Sequence, residues 1–132
     1  MSEADDGDVA TLADQALALY QGPFLAGEDD LPEVLAARSR TQALFTRRLG
    51  ALGERLEARQ DLAGAARLYA RVLEQQPLAE DICRRLITCL IALDRRAEAY
   101  EAFRRCRQQL SVVLGIRPAA ETEALVASLR NL

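Results

Sequence analysis

Histidine, tryptophan and lysine are absent from this 132-residue sequence, and its aromatic side chains are limited to three tyrosines and three phenylalanines. Without histidine, the chain cannot form a Cys/His zinc site or pair a thiol nucleophile with a histidine base. Nucleotide-binding G-x-x-x-x-G-K-[ST] loops, G-x-S-x-G turns and C-x-x-C pairs are absent as well. We therefore expect that the protein is not an enzyme and has no catalytic residue, no cofactor and no metal ion.

Long apolar runs are also missing, because no segment approaches the roughly 20 consecutive apolar residues of a membrane span. The first residues, "MSEADDGD", are acidic, whereas a secretory signal peptide begins with basic residues. These absences predict a cytoplasmic protein without membrane contacts. The cysteines Cys83, Cys89 and Cys106 are odd in number, and we expect two of them to behave as small apolar core residues.

Alanine and leucine supply most of the hydrophobic half of the sequence. This composition favours closely packed helices over sheets, which are richer in β-branched and aromatic residues. Apolar residues recur at helical spacing and predict an all-α fold of about six helices. These are Asp8 to Tyr20, Pro32 to Gln60, a helix capped by Asp61 that stops before Pro77, Glu80 to Leu93, a helix capped by Asp94 that runs to Leu114, and a last helix that begins near Pro118.

The charges of the chain are segregated by segment. Residues 1–33 hold nine acids and no basic residue, whereas the remainder holds 17 arginines and 11 acids. Opposite charges in two parts of one chain can attract each other or select two different partners. We expect residues 1–7 to be a disordered acidic N-terminus and residues 8–132 to form a single helical domain.

Two segments of the sequence are similar at a shift of 34 residues. The shift places Leu52 on Leu86, Leu56 on Leu90, Ala65 on Ala99 and Tyr69 on Phe103. This is the pattern of the tetratricopeptide repeat, in which small residues, here also Gly53, let two helices approach closely, and Pro77 ends the first copy. The predicted architecture is a series of antiparallel tetratricopeptide-like hairpins in a short right-handed superhelix. Breaks at Pro or Asp argue against the alternative, a coiled coil.

Three stretches carry a more specific resemblance: "ALALYQGPFLAGE", "LYARVLEQQPLAEDICRRLITCLIALDRRAEAYEAFRRCRQQL" and "LGIRPAAETEAL". In this order they resemble the bacterial transcriptional activator domain, a tetratricopeptide-like module of antibiotic regulatory proteins (SARP-type regulators) and related regulators. Family members often carry a tryptophan near the start of the long helix, where "LPEVLAARSR" has none, while Arg38 stands at the position of the family's arginine.

The resemblance implies a regulatory and protein-protein interaction domain of a bacterial transcriptional regulator. It further implies that this is the C-terminal part of a larger protein whose DNA-binding domain lies elsewhere. The partner would then be another protein or a neighbouring domain of the same regulator. The alternative is a free-standing tetratricopeptide adaptor that binds a peptide or protein partner. Direct nucleic-acid binding is not expected from this chain, whose net charge is −3.

The candidate partner-binding residues are Arg84, Arg85, Tyr100, Arg104, Arg107 and Arg117. The competing interpretation of the arginines is a solvated helix face with acidic partners three or four residues away. Tyr100 either covers the core or lines a groove between stacked hairpins, where such modules hold peptides. An exposed Ala/Leu face could also support a homodimer.

Glycine and proline in "LGIRPAAETEAL" predict a structural turn. Gly115 can take the left-handed conformation that ends the preceding helix, and Pro118 prevents its continuation. Glu121 and Glu123 then fall in the first turns of the last helix, where negative charge is favoured. We expect this segment to dock a closing helix.

Overall fold

Helices form the regular structure of residues 32–130, the part of the chain that this computed structural model describes. They are α1 (Pro32–Ala58), α2 (Leu62–Gln75), α3 (Glu80–Ala92), α4 (Arg96–Gln109) and α5 (Ala120–Arg130). A short π-helical segment, Leu110–Leu114, continues α4. These residues contain no strand, and the all-α prediction is confirmed. The helix predicted from Asp8 to Tyr20 and the acidic residues 1–7 lie outside the described residues.

Each helix packs mainly against its neighbours in sequence: α1 against α2, α2 against α3, and α3 against α4. The connections between them span only a few residues, so that consecutive helices are antiparallel. The last helix, α5, packs against both α3 and α4. The right-handed superhelix remains a prediction.

The repeat of 34 residues reappears in the backbone of two turns. Gln60 after α1 and Asp94 after α3 both have a left-handed conformation, with φ of 65° and 62°. Asp61 N–H donates to the Leu56 carbonyl in the first turn, and the residues 34 positions later, Arg95 and Leu90, form the same bond in the second. Each turn is therefore a Schellman motif, which satisfies the last carbonyls of a helix.

This equivalence corrects one predicted helix cap. Asp61 is the N-cap of α2 as predicted, and its carboxylate accepts a hydrogen bond of 2.9 Å from Gly64 N–H. Asp94 is not the N-cap of α4, because Arg95 occupies that position and makes no side-chain capping bond. The physical reason is register: Asp94 is equivalent to Gln60, the left-handed residue of the turn, and aspartate tolerates that conformation.

The predicted helix ends differ from the observed ones by a few residues. The Schellman turns end α1 at Ala58 and α3 at Ala92, slightly before Gln60 and Leu93. The segment predicted as one helix up to Leu114 changes from α to π geometry at Leu110. Gly115 ends it with φ of 67°, which confirms the left-handed conformation expected there.

Side chains from all five helices form the core. Ala65 and Ala99 are fully buried, and all three cysteines are buried. The other predicted repeat positions lie as follows: Leu56, Tyr69, Leu86, Leu90 and Phe103 are buried, Leu52 is partly buried, and Pro77 is exposed between α2 and α3. Gly53 of α1 faces the ring of Tyr69 so closely that a Cβ atom at this position would overlap the ring.

Alanine substitutions at two buried glycines of α1 should change the free energy of unfolding in opposite directions. Gly53→Ala should lower the free energy of unfolding by about 1–3 kcal/mol, because the buried Tyr69 ring has no room to move away. Gly50→Ala should raise it by about 0.5–1 kcal/mol, because its Cβ would meet only Ile82 Cδ1 at 3.4 Å and alanine favours the helix. Urea denaturation followed by circular dichroism measures both values. A shift of the same sign in both variants would contradict this account of the α1–α2 contact.

Candidate interaction surfaces

The carboxylate of Glu80 joins the start of α3 to the start of α5. It accepts hydrogen bonds of 2.6 Å from the Ala119 backbone N–H and from the Thr122 hydroxyl. Thr122 is fully buried, and its oxygen also accepts a bond of 3.2 Å from Arg84. Negative charge is favoured at a helix N-terminus, where N–H groups lack partners. This network docks α5, and Arg84, a predicted partner-binding residue, belongs to it.

Arg85, the second arginine of this doublet, faces a different helix. Its guanidinium forms an ion pair of 2.6 Å with Glu54 of α1. Nearby, the hydroxyl of Tyr69 donates a hydrogen bond to Glu57. Burial of the phenol and this bond to a carboxylate raise the pKa of Tyr69 above its usual value. Arg85 therefore contributes to contacts between α1, α2 and α3.

The arginines of α4 have partners along their own helix. Glu101 pairs with Arg104 at 3.2 Å and with Arg105 at 3.9 Å. The guanidinium of Arg107 lies over the Phe103 ring, 5.5 Å from its centroid, which is a cation–π distance. Arg104 and Arg105 therefore pair with an acid, and Arg107 packs on an aromatic ring, within α4 itself.

The two remaining candidates, Tyr100 and Arg117, are exposed. The ring of Tyr100 lies 6.3 Å from that of Phe103, and the residue is 38% exposed. Tyr100 thus lies at the edge of the core rather than in the groove described below. Arg117 has neither an ion pair nor a hydrogen-bond partner among residues 32–130 and lies next to an exposed apolar patch, which consists of Val112, Val113, Leu114 and Ile116.

A groove of about 670 Å³ runs between α2 and α4, with α3 as its floor. Its apolar floor contains Leu86 and Leu90. Its walls carry three acids and three arginines: Glu74, Glu98, Glu101, Arg67, Arg95 and Arg105. An apolar floor between charged walls fits a peptide or a helix of a partner protein.

Two buried thiols, Cys83 of α3 and Cys106 of α4, line the same groove, and the S–H of Cys83 donates to the Ala102 carbonyl at 3.7 Å. The interaction with Cys83 lowers the pKa of the Cys106 thiol, whereas the interaction with Cys106 and burial raise the pKa of Cys83. Burial raises the pKa of Cys89, on another side of α3, to about 11. Cys106 is therefore the most readily ionised thiol of the three.

Four further arginines, which the sequence analysis did not single out, occupy one exposed face of α1. These are Arg40, Arg47, Arg48 and Arg55, here called the arginine strip. The predicted partner-binding residues all lie further along the chain, between Arg84 and Arg117. The spacing of seven or eight residues within the arginine strip is the sequence signal that places its members on one face.

The described residues contain neither a metal-binding arrangement nor a membrane-spanning helix. No group of three or more Cys, Asp or Glu side chains between residues 32 and 130 is placed to hold a metal ion. Within the same range, no helix is sufficiently long and apolar to cross a bilayer.

Comparison with known proteins gives two matches. The family described as "Bacterial transcriptional activator domain" matches residues 2–130. The transcriptional regulator RedD of Streptomyces coelicolor is 31% identical over 120 residues, which cover 89% of this chain and 33% of RedD. The chain therefore spans about a third of the length of this curated relative. No solved structure matches the chain at a significant level.

The Glu80 network predicts the effect of a substitution at its centre. Glu80→Gln should lower the free energy of unfolding by about 1–2 kcal/mol, because an amide oxygen cannot serve both donors with the strength of a carboxylate. Hydrogen exchange should accelerate most in α5. The matched control is Glu98→Gln, which removes an exposed carboxylate 4.0 Å from Arg95 and should cost less than about 0.5 kcal/mol. Equal effects of the two variants would rule out the docking role.

The different pKa values of the three thiols predict the order in which they are alkylated. With limiting iodoacetamide at neutral pH, Cys106 should react before Cys83 and Cys89, because only its pKa is lowered and the thiolate is the nucleophile. Peptide mass spectrometry of the native protein measures this order. The Cys106→Ser variant should lose the fast phase. If Cys89 reacts as fast as Cys106, the assignment of the ionised thiol is wrong.

Proposed function

Because the chain belongs to the family of bacterial transcriptional activator domains, we propose that it is the protein-interaction module of a larger transcriptional regulator. The match to the family over residues 2–130 is the observation that carries this proposal. The module would bind another protein or a neighbouring domain of the same regulator. It would form the C-terminal part of that protein, with the DNA-binding domain elsewhere, and act in the cytoplasm.

The length of RedD supports the existence of further domains. This chain corresponds to one third of RedD, so that two thirds of that regulator lie outside the shared module. Reading DNA directly is a poor fit for the present chain, because its net charge is −3 and many of its arginines are paired with acids.

Two surfaces support a role in binding proteins. The groove between α2 and α4 combines an apolar floor with charged walls. The apolar patch at the end of α4 exposes Val112 by 74% and Leu114 by 53%. Large exposed apolar patches are rare on monomeric proteins, and where they occur they often mark an interaction site. A neighbouring domain or a second copy of the chain could bury the patch.

A tethering experiment tests the proposal. The chain is fused to an unrelated DNA-binding domain whose operator lies upstream of a weak promoter in Streptomyces coelicolor. We expect the fusion to increase reporter transcription over the DNA-binding domain alone, because a tethered interaction module recruits its partner to the promoter. The matched control is a Tyr69→Asp fusion, in which a charge in the core unfolds the module. Equal reporter levels from the wild-type fusion and this control would refute the proposal.

A further inference from the structure

The arginine strip of α1 lies on the side of the helix that faces solvent. Its four residues, Arg40, Arg47, Arg48 and Arg55, are all exposed. At 100° per residue they fall within an arc of about 100°, and at 1.5 Å per residue they extend over about 22 Å. The buried residues of α1, which include Leu49 and Leu56, project from the opposite side.

No acid among residues 32–130 neutralises the strip. None of its four guanidinium groups forms an ion pair or a hydrogen bond with a described residue. Glu54, the nearest acid of α1 in sequence to Arg55, pairs with Arg85 of α3 instead. Glu33 is on the same face but precedes Arg40 by seven residues, or about 10 Å.

The arginines elsewhere in the structure provide the contrast. Ion pairs with Glu or Asp hold Arg95, Arg96, Arg104 and Arg105 at distances between 3.2 and 4.0 Å. Arg67, Arg107 and Arg117 also lack an ion pair with a described residue, but they lie on separate elements, whereas the strip places four such charges on one helix face. A partner that brings carboxylates would supply the missing charges.

Apolar residues between the arginines define the partner further. Leu44 is 42% exposed and lies between Arg40 and Arg48 on this face, and Ala51 lies between Arg48 and Arg55. A second helix with carboxylates seven or eight residues apart and leucines between them would match both features. Arginine is suited to such contacts because its guanidinium binds carboxylates through two parallel hydrogen bonds.

A nucleic acid fits the strip less well. The net negative charge of the chain would repel phosphates, and the strip contains no aromatic side chain on which a base could stack. Leu44 would remain exposed beside a phosphate backbone. A phosphate partner would also leave the apolar positions of the face without contact.

We propose that the arginine strip is the docking site of an acidic, amphipathic helix of a partner protein. The proposal rests on the proposed function and adds to it the surface used and the chemistry of the partner. The groove between α2 and α4 is then a separate surface of the module.

Binding of a synthetic probe tests the strip directly. The probe is a fluorescent helical peptide with glutamates at spacings of seven and eight and leucines on the same face, and anisotropy measures its Kd on the full chain. Replacing Arg40, Arg47, Arg48 and Arg55 by Gln should raise the Kd about tenfold or more. The matched control replaces Arg96, Arg104, Arg107 and Arg117 by Gln; these exposed residues lie outside the groove, and their replacement changes the net charge equally. It should alter the Kd less than about twofold.

Several outcomes would overturn the proposal. Equal weakening by the two quadruple variants would mean that the net charge alone attracts the peptide. Tighter binding of duplex DNA than of the peptide would assign the strip to phosphates. Tighter binding of a peptide of residues 1–14 would assign it to the acidic segment of the chain itself. Leu44→Ala should weaken binding at about 300 mM salt, where exposed charges are screened, and an unchanged Kd would contradict the apolar contact.

The tethered reporter separates this inference from the proposed function. If the wild-type fusion activates transcription and the variant without the strip does not, both proposals are supported. If the two fusions activate equally, the strip is not the docking site, whereas the module still functions by interaction. Thermal unfolding of the two quadruple variants checks that both remain folded, as expected for substitutions of exposed residues.

Discussion

The ring of Tyr69 lies against Gly53, and this contact determines how α1 sits on the rest of the protein. Because glycine has no side chain, the two helices approach closely enough for Tyr69 to reach Glu57 with its hydroxyl. The ion pair between Glu54 and Arg85 is a second contact that joins α1 to α3. With the Gly53 side fixed against the core, the opposite side of α1, which carries the arginine strip, must face solvent.

Acidic side chains pair with some arginines of residues 32–130 and leave others, among them the strip, without an ion pair. Glutamates on α1, α3 and α4 neutralise Arg85, Arg84 and Arg104, which therefore stabilise packing between or along helices. Glu80 also holds the start of α5 through Ala119 and Thr122. What distinguishes the strip is therefore that four arginines without an ion pair lie on one face of one helix. In addition to the groove and the apolar patch, the domain thus has a cationic face, which is the surface proposed to bind an acidic partner helix.

Local sequence patterns predicted the helices, the small residues at their contacts and the turn at Gly115. These features depend on the spacing of residues that are close in sequence. The repeat of 34 residues then predicts the same features at the equivalent positions of its second copy. The same repeat would have placed the cap of α4 at Arg95 instead of Asp94, because Arg95 is equivalent to Asp61. The roles of the predicted partner-binding residues differ even between neighbours: Arg84 contacts Glu80 and Thr122, whereas Arg85 pairs with Glu54, because adjacent residues on a helix face different directions.

By itself, the sequence determined an all-helical chain with a tetratricopeptide-like period, because periodicity, glycine and proline act through neighbouring residues. Only the tertiary structure decided which charges are neutralised. The Glu80 carboxylate accepts a hydrogen bond from Thr122, which is 42 positions away in the sequence. Glu54 of α1 pairs with Arg85 of α3. Such pairs depend on how whole helices are rotated and stacked. The availability of an arginine for a partner is therefore a property of the packed domain rather than of its local sequence.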